Sequence, residues 1–286
     1  MSPPPRLADA WLDDALVVAR EAAAEGLAVI RDAWGASGRQ AAREKQPRDL
    51  VTATDLAAQE RIVTRLVAAY PDWEVAAEEA TSTPSHTSGR GAGAASRYCW
   101  SVDPLDGTTN FVHGLPAVAI SIALLADHEP VAGVVVDVVR GEWFTARAGA
   151  GAWLDEGDRS RATRLVVAEA GPPGAALVAT GFPFRQRAEL DRYLGAFRAV
   201  FTQIGDMRRA GSAALDLAYV AAGRLDGFWE LGLSPWDTAA GELLVLEAGG
   251  RVSDWSGGAT HRDRGWIAAG TPAVHGLLVD TLREFA

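Results

Sequence analysis

Cysteine is almost missing from this chain. Cys99 is the only one in 286 residues, which excludes an internal disulfide framework and fits a reducing compartment. Lysine is equally scarce, Lys45 being the only one. No apolar run approaches the length that spans a bilayer. Met1–Arg6 carries three prolines and no apolar segment behind a basic start, so no secretory signal is expected. Positive charge is in deficit, with 27 Lys and Arg against 37 Asp and Glu, for a net charge of −10. Such a chain lacks the basic face that phosphate-backbone recognition needs, so nucleic acid is not expected as its primary ligand. A cytoplasmic protein is expected.

What is present is an ordinary globular composition, 48% hydrophobic and 22% charged, in a chain long enough for one large domain or two. Leu12, Leu16, Ala19, Ala23, Leu27, Ile30 and Trp34 recur at steps of three and four, which predicts an amphipathic helix over 8–34. A polar loop over 35–46, a helix near 55–70 and a strand over 73–77 follow. Residues 81–97 are rich in Ser, Thr, Gly and Ala and read as a flexible loop. The apolar runs 117–125 and 131–139 read as a hairpin, and 142–147 as a further strand. Gly149-Ala150-Gly151 lacks the spacing and context of a nucleotide loop. After about residue 160 strands and helices alternate, with strands expected at 165–168, 176–180, 227–229 and 266–269. Helices are expected at 187–203, 212–222, 235–248 and 273–285, an α/β pattern. The expected organisation is a tail over 1–7, an α+β part over 8–160 and an α/β part over 161–286.

The central stretch is Trp100-Ser-Val-Asp-Pro-Leu-Asp-Gly-Thr-Thr-Asn-Phe111. An apolar strand is expected to end at Asp103, because Pro104 cannot continue a ladder. Asp106-Gly107 then turns the chain into a helix starting at Thr108. Two carboxylates beside free backbone N–H groups suit a hard cation and the phosphate it activates. Asp-Gly after a strand is by itself usually just a turn. An EF-hand fails because Leu105, Gly107 and Gly114 stand where ligands are needed. An aspartyl-nucleophile phosphatase fails because Pro104 stands where its second Asp belongs.

Other carboxylates also sit at the ends of expected elements: Asp55, Glu78, Asp237 and Glu230. Singly, each has an ordinary reading. Asp55 is a cap or first-turn acid, Ser234-x-x-Asp237 is a capping box with Pro235 at the first helical position, and Glu78 and Glu230 are edge carboxylates. Gly211-Ser212-Ala213-Ala214 puts small residues at a helix start, where backbone can approach a ligand.

Together these segments resemble the inositol monophosphatase family of Mg²⁺-dependent, lithium-sensitive phosphatases. The resemblance rests on Asp49–Asp55 (Asp-Leu-Val-Thr-Ala-Thr-Asp), Ala77-Glu78-Glu79, Asp103–Phe111, Ala179–Pro183, Arg209–Asp216 and Trp236–Gly241 leading to Glu247–Gly250. It covers about residues 10–280. One departure is Ala77, where glycine usually precedes Glu-Glu; a methyl is tolerated unless φ is positive.

The resemblance implies a layered αβαβα sandwich, α+β in its first part and α/β in its second, of the inositol monophosphatase and fructose-1,6-bisphosphatase type, and a homodimer. It implies two or three Mg²⁺ ions, held by Glu78, Asp103, the Leu105 carbonyl, Asp106 and Asp237. Thr108, paired with Asp55, would orient the attacking water, with Glu78 also catalytic. Gly107 and Thr108 would hold phosphate, and Gly211, Ser212, Ala213 and Glu230 the alcohol. Lys45 would belong to a mobile loop near the metals. The implied reaction is hydrolysis of inositol monophosphate by a metal-activated water, without a phosphoenzyme. Histidinol phosphate, fructose 1,6-bisphosphate or 3′-phosphoadenosine 5′-phosphate are alternative substrates, and a regulatory binding protein on the same fold is an alternative role.

Overall fold

The computed structural model of the chain describes residues 9–35, 43–46, 49–79, 96–169 and 171–286. The expected tail, the 81–95 stretch and most of the 35–46 loop lie outside these. The first helix, α1 (Asp9–Ala33), buries the predicted stripe of Leu12, Leu16, Ala19, Ala23, Leu27 and Ile30. Strands β1 (Arg43–Gln46) and β2 (Asp49–Val51) pair antiparallel, where the sequence reading placed only loop on the first side. Four polar residues carry no period-2 apolar signal, so β1 was not legible.

Helix α2 (Ala53–Ala69) leads to β3 (Glu74–Ala77) and β4 (Tyr98–Asp106). A short helix α3 (Thr108–His113) precedes β5 (Ala119–Ala126), β6 (Glu129–Asp137), β7 (Glu142–Arg147), β8 (Gly151–Asp155) and β9 (Thr163–Arg164). The sheet order is β3-β4-β5-β6-β7-β8-β9, parallel only between β3 and β4. The β5–β6 hairpin turns at Asp127 and His128, both at positive φ (51° and 68°), as a two-residue turn matching the strand twist demands. Strand β9 replaces the strand expected at 165–168.

The second sheet is built from β10 (Leu177–Thr180), β11 (Asp206–Arg208), β12 (Gly227–Leu231), β13 (Arg251–Ser253) and β14 (Trp266–Gly270), in the order β11-β10-β12-β14-β13. Its helices are α4 (Leu190–Phe201), α5 (Ala213–Ala221), α6 (Pro235–Glu247), α7 (His261–Arg264) and α8 (Pro272–Leu282).

Successive side chains of a strand point to opposite faces, and here both faces are covered. Ile120, Ile122, Val134 and Val136 pack toward α1 and α2. Ala119, Ala123 and Val135 pack toward α5 and α6. The same two helices meet Ala179, Phe228, Ile267 and Ala269 of the second sheet. Beyond it, Val178, Trp229 and Ala268 pack against Tyr193 and Val200 of α4 and Leu278 of α8. The result is an αβαβα sandwich. Both-sided burial explains why β5 and β6 read as unbroken apolar runs. Small residues mark the closest approaches: a Cβ on Gly133 would lie 3.1 Å from the Ala240 backbone, and one on Gly241 2.5 Å from the Leu217 side chain.

Strand β4 departs from expectation at Pro104, where it does not stop. Asp103 pairs with Ser121 and Asp106 with Ala119, so β4 spends three steps where β5 spends two. This is a bulge, and a bulge leaves a residue out of the ladder, which is where proline is allowed. Ala77 is not among the positive-φ residues, so its methyl costs nothing.

The tight α5–α6 contact yields a stability prediction. Gly241→Val should destabilise the chain by about 1–3 kcal/mol through overpacking against Leu217. Urea unfolding measures this, and an unchanged midpoint would contradict the packing described.

Candidate active site

The bulge gathers three oxygen donors onto one short arc. Asp103 Oδ1 accepts the Leu105 N–H at 2.9 Å, which fixes the carboxylate over the bend. Asp106 Oδ2 accepts from Ser212 Oγ at 2.6 Å and the Ala214 N–H at 2.8 Å, tying the bulge to the start of α5. Gly107 follows at φ 91°; a Cβ there would lie 2.6 Å from the Ala117 carbonyl. Asn110 Nδ2 donates to the carbonyls of Ala117 and Ala210 at 2.8 and 2.9 Å, which ties α3 to the turn at 210–211.

Two helix starts supply further carboxylates, and each serves two purposes. In α2, the N-cap Thr52 donates its N–H at 2.9 Å, and its hydroxyl, to Asp55 Oδ2. The other oxygen, Oδ1, accepts the Thr108 hydroxyl at 2.9 Å. In α6, Asp237 Oδ2 accepts the Ser234 N–H at 2.7 Å while the same side chain lines the cleft. The capping readings of Asp55 and Asp237 are thus correct, and capping is what aims both groups.

Glu78 is placed by backbone. Its N–H bonds the Val102 carbonyl at 3.0 Å, one step beyond the β3–β4 ladder. Gln59 of α2 brackets the next residue, accepting the Glu79 N–H at 2.9 Å and donating to its carbonyl at 2.8 Å. Glu230 on β12 lies against Gly181, where any Cβ would sit 2.0 Å from its carboxylate.

These groups share one cleft of about 260 Å³. It is lined by the predicted Glu78, Asp103, Leu105, Asp106, Gly107, Thr108, Gly211, Ala213, Glu230 and Asp237. Asp55 stands behind Thr108, fully buried. Ser212 is buried beneath Asp106, its hydroxyl committed to that carboxylate instead of facing the cleft. Lys45 belongs to β1 by its backbone, and its side chain lies outside the described residues. Sequence reasoning gave no role to Thr109, Asn110, Phe184, Arg185, Arg209 or Leu233, which also line the cleft. Arg209 has a signal, since it opens the Arg209–Asp216 segment that carries the family resemblance, and Arg185 has none.

Crowding and burial set the electrostatics. Asp103 is pushed well above the ordinary Asp value, first by burial and then by the charges of Glu78, Asp106 and Asp237. Burial raises Asp106 to about 6, against the bonds from Ser212 and Ala214. Asp237 rises to about 7 through burial and the charge of Asp106. Glu230 is raised by burial and by Asp216, and held back by Arg209. Asp55 is raised by burial, against its bonds from Thr52 and Thr108. Among the described residues no three Asp, Glu, His or Cys side chains close into a ready-made metal cage. The donor chemistry still fits a hard cation. Carboxylates line the cleft beside Leu105, among the described residues no Cys or His does, and oxygen-only donors select Mg²⁺-type ions. A divalent ion would offset the repulsion that lifts these pKa values.

Residues 11–285 match the inositol monophosphatase family. The chain belongs to that family. It is 47% identical over 242 residues to Nus factor SuhB of Pseudomonas aeruginosa, covering 84% of this chain and 85% of that protein. It is 40% identical to the inositol-1-monophosphatase of Mesorhizobium japonicum, with the same coverage of both chains. The solved structure of extragenic suppressor protein suhB from Bartonella henselae superposes with a TM-score of 0.80 at 36% identity, covering 96% of this chain and 99% of that one. The αβαβα sandwich is therefore the family's fold. Among the described residues no helix is long and apolar enough to cross a membrane.

The raised pKa values carry a pH signature. Folding lifts Asp106 and Asp237 from 3.8 to about 6 and about 7, so the folded chain binds more protons than the unfolded one in that window. Stability from these groups is present below the unfolded value and is lost as pH rises through the folded values. In chelator, thermal melting should show this loss between about pH 4 and about pH 7, and Asp237→Asn should shrink it. The same pH slope in wild type and variant would contradict the electrostatic picture.

Proposed function

We propose that the chain is a Mg²⁺-dependent phosphomonoesterase that hydrolyses inositol monophosphate to inositol and phosphate. The observation that carries this reading is that buried, mutually repelling carboxylates share one cleft with Glu230 and with Thr108, which Asp55 backs. Glu78, Asp103, the Leu105 carbonyl, Asp106 and Asp237 would hold two or three Mg²⁺ ions. When bound, such ions supply charge neutralisation at the phosphate and activation of water. The part over 8–160 contributes most of these donors and the part over 161–286 completes the site.

The chain's own residues do the rest. The Thr108 hydroxyl has two acceptors, Asp55 Oδ1 at 2.9 Å and the Leu105 carbonyl at 3.2 Å; its one proton goes to Asp55, and its lone pairs accept from a water in the cleft. Burial raises the basicity of Asp55, and a carboxylate so raised is a better proton acceptor than an exposed one. The N–H groups of Gly107 and Thr108 hold the phosphate. Gly211 and Ala213 admit the alcohol closely, and Glu230 accepts hydrogen bonds from its hydroxyls. Ser212 acts beneath Asp106, holding that carboxylate. Among the described residues neither Cys99 nor any histidine lines the cleft, which supports direct attack by water over a covalent intermediate. Inhibition by lithium, a homodimer and a cytoplasmic location complete the reading.

A second reading is favoured by the relatives named Nus factor SuhB: a regulatory binding protein on the same fold. The retained carboxylate set argues against that as the sole role, and a catalytically dead variant that still rescued a deletion strain would establish it.

The test is phosphate release from D-myo-inositol 1-phosphate with and without Mg²⁺, beside histidinol phosphate, fructose 1,6-bisphosphate and 3′-phosphoadenosine 5′-phosphate. Mg²⁺-dependent turnover should be highest for the inositol ester, suppressed by lithium, and abolished in folded Asp103→Asn. Unchanged turnover in that variant would overturn the metal assignment, and a wide margin for another ester would overturn the substrate.

A further inference from the structure

One cation already stands among the carboxylates. Arg185, from the segment that follows β10, lines the cleft and donates from Nη2 to Glu78 Oε1 at 3.3 Å. Its charge also lowers Asp106 and Asp237, two further members of the proposed metal set. The guanidinium lies 4.9 Å from the centre of the Phe184 ring, a cation–π contact that steadies it without using its donors. The side chain is about a third exposed, 34%, so it has room to turn away from Glu78 within the same cleft.

The segment bearing Arg185 meets two carboxylates of the cleft, Glu78 and Glu230. It begins at Gly181, against the Glu230 carboxylate. It then folds back on itself, the Phe184 N–H bonding the Phe182 carbonyl at 2.7 Å and the Gln186 N–H the Pro183 carbonyl at 3.1 Å. Residues 181–186 therefore form a compact turn that starts against Glu230 and carries Arg185 beside Glu78.

Glu78 cannot give its full charge to both a guanidinium and a divalent cation. Two positive groups sharing one carboxylate also repel each other, and in a partly buried cleft that repulsion is only weakly screened. From this we infer that Arg185 competes with the metal for Glu78, and that the guanidinium displaced from Glu78 binds the substrate's phosphate. The inference rests on the phosphatase reading above. It makes Arg185 a coupling residue: metal entry releases a phosphate ligand, and by reciprocity a bound phosphate, by engaging Arg185, strengthens metal binding. Arginine suits both partners, because its planar fork pairs with carboxylate and phosphate alike.

The test uses calorimetry, with Mg²⁺ alone and then inorganic phosphate at saturating Mg²⁺, on wild type, Arg185→Gln and Arg185→Lys. In Arg185→Gln, Mg²⁺ should bind more tightly, by roughly tenfold at the Glu78-dependent site, because its competitor is gone. Phosphate should bind more weakly by a similar factor. Arg185→Lys should fall between wild type and Arg185→Gln in both. The opposite signs are what a merely structural role does not produce, since misfolding weakens both ligands together. Mg²⁺ affinity that is unchanged or weakened in Arg185→Gln would overturn the inference while leaving the phosphatase reading standing. A folded wild-type chain that takes up no Mg²⁺ at all would overturn both.

Discussion

The structure turns on like charges held close together in a buried place. Asp103, Asp106 and Asp237 come from a bulged strand and a helix start, with Glu78 beside them, and each raises the cost of ionising the next. Burial alone would neutralise a carboxylate by protonation. Here the backbone takes a different course, spending N–H groups from Leu105, Ala214 and Ser234 on these oxygens and so holding the groups in place. The arrangement destabilises the chain by itself and is relieved by positive charge, which is the logic of a cation site.

That constraint explains features of the fold that otherwise look unrelated. The bulge in β4 exists where proline interrupts the ladder, and it turns Asp103, Leu105 and Asp106 toward the same cleft. Helices α2 and α6 begin with the same device, in which one carboxylate oxygen closes the N-terminus. In α2 the second oxygen reaches Thr108; in α6 the carboxylate faces the cleft. A capping acid is rigid because it is hydrogen-bonded to its own helix, so the functional group needs no further support. Gly181 and Gly241 show the other side of the same economy of space, one clearing room for Glu230 and the other letting α5 and α6 lie between two sheets.

Much of this was legible in the residues. The Trp100–Phe111 stretch and the Ser234–Asp237 box pointed to their elements directly, and periodicity located α1, the β5–β6 hairpin and the alternation of the second half. Misses had physical causes. Pro104 reads as a strand end because sequence alone does not show that a bulge will excuse its missing N–H. Strands β1, β11 and β13 are three or four residues long with mixed polarity, too short for a period to emerge. Gln59 and Arg185 act across the fold, on residues 20 and 107 positions away, and no local pattern announces a partner at that distance. The motif around Ser212 points to a substrate contact, while its hydroxyl serves Asp106 from below.

The most direct test of the central claim is a crystal soaked in Mn²⁺ and measured for anomalous scattering. The account predicts anomalous peaks in the cleft, within coordinating distance of the carboxylates of Asp103, Asp106, Asp237 and Glu78. Peaks elsewhere, or a well-ordered cleft with none at saturating Mn²⁺, would contradict it.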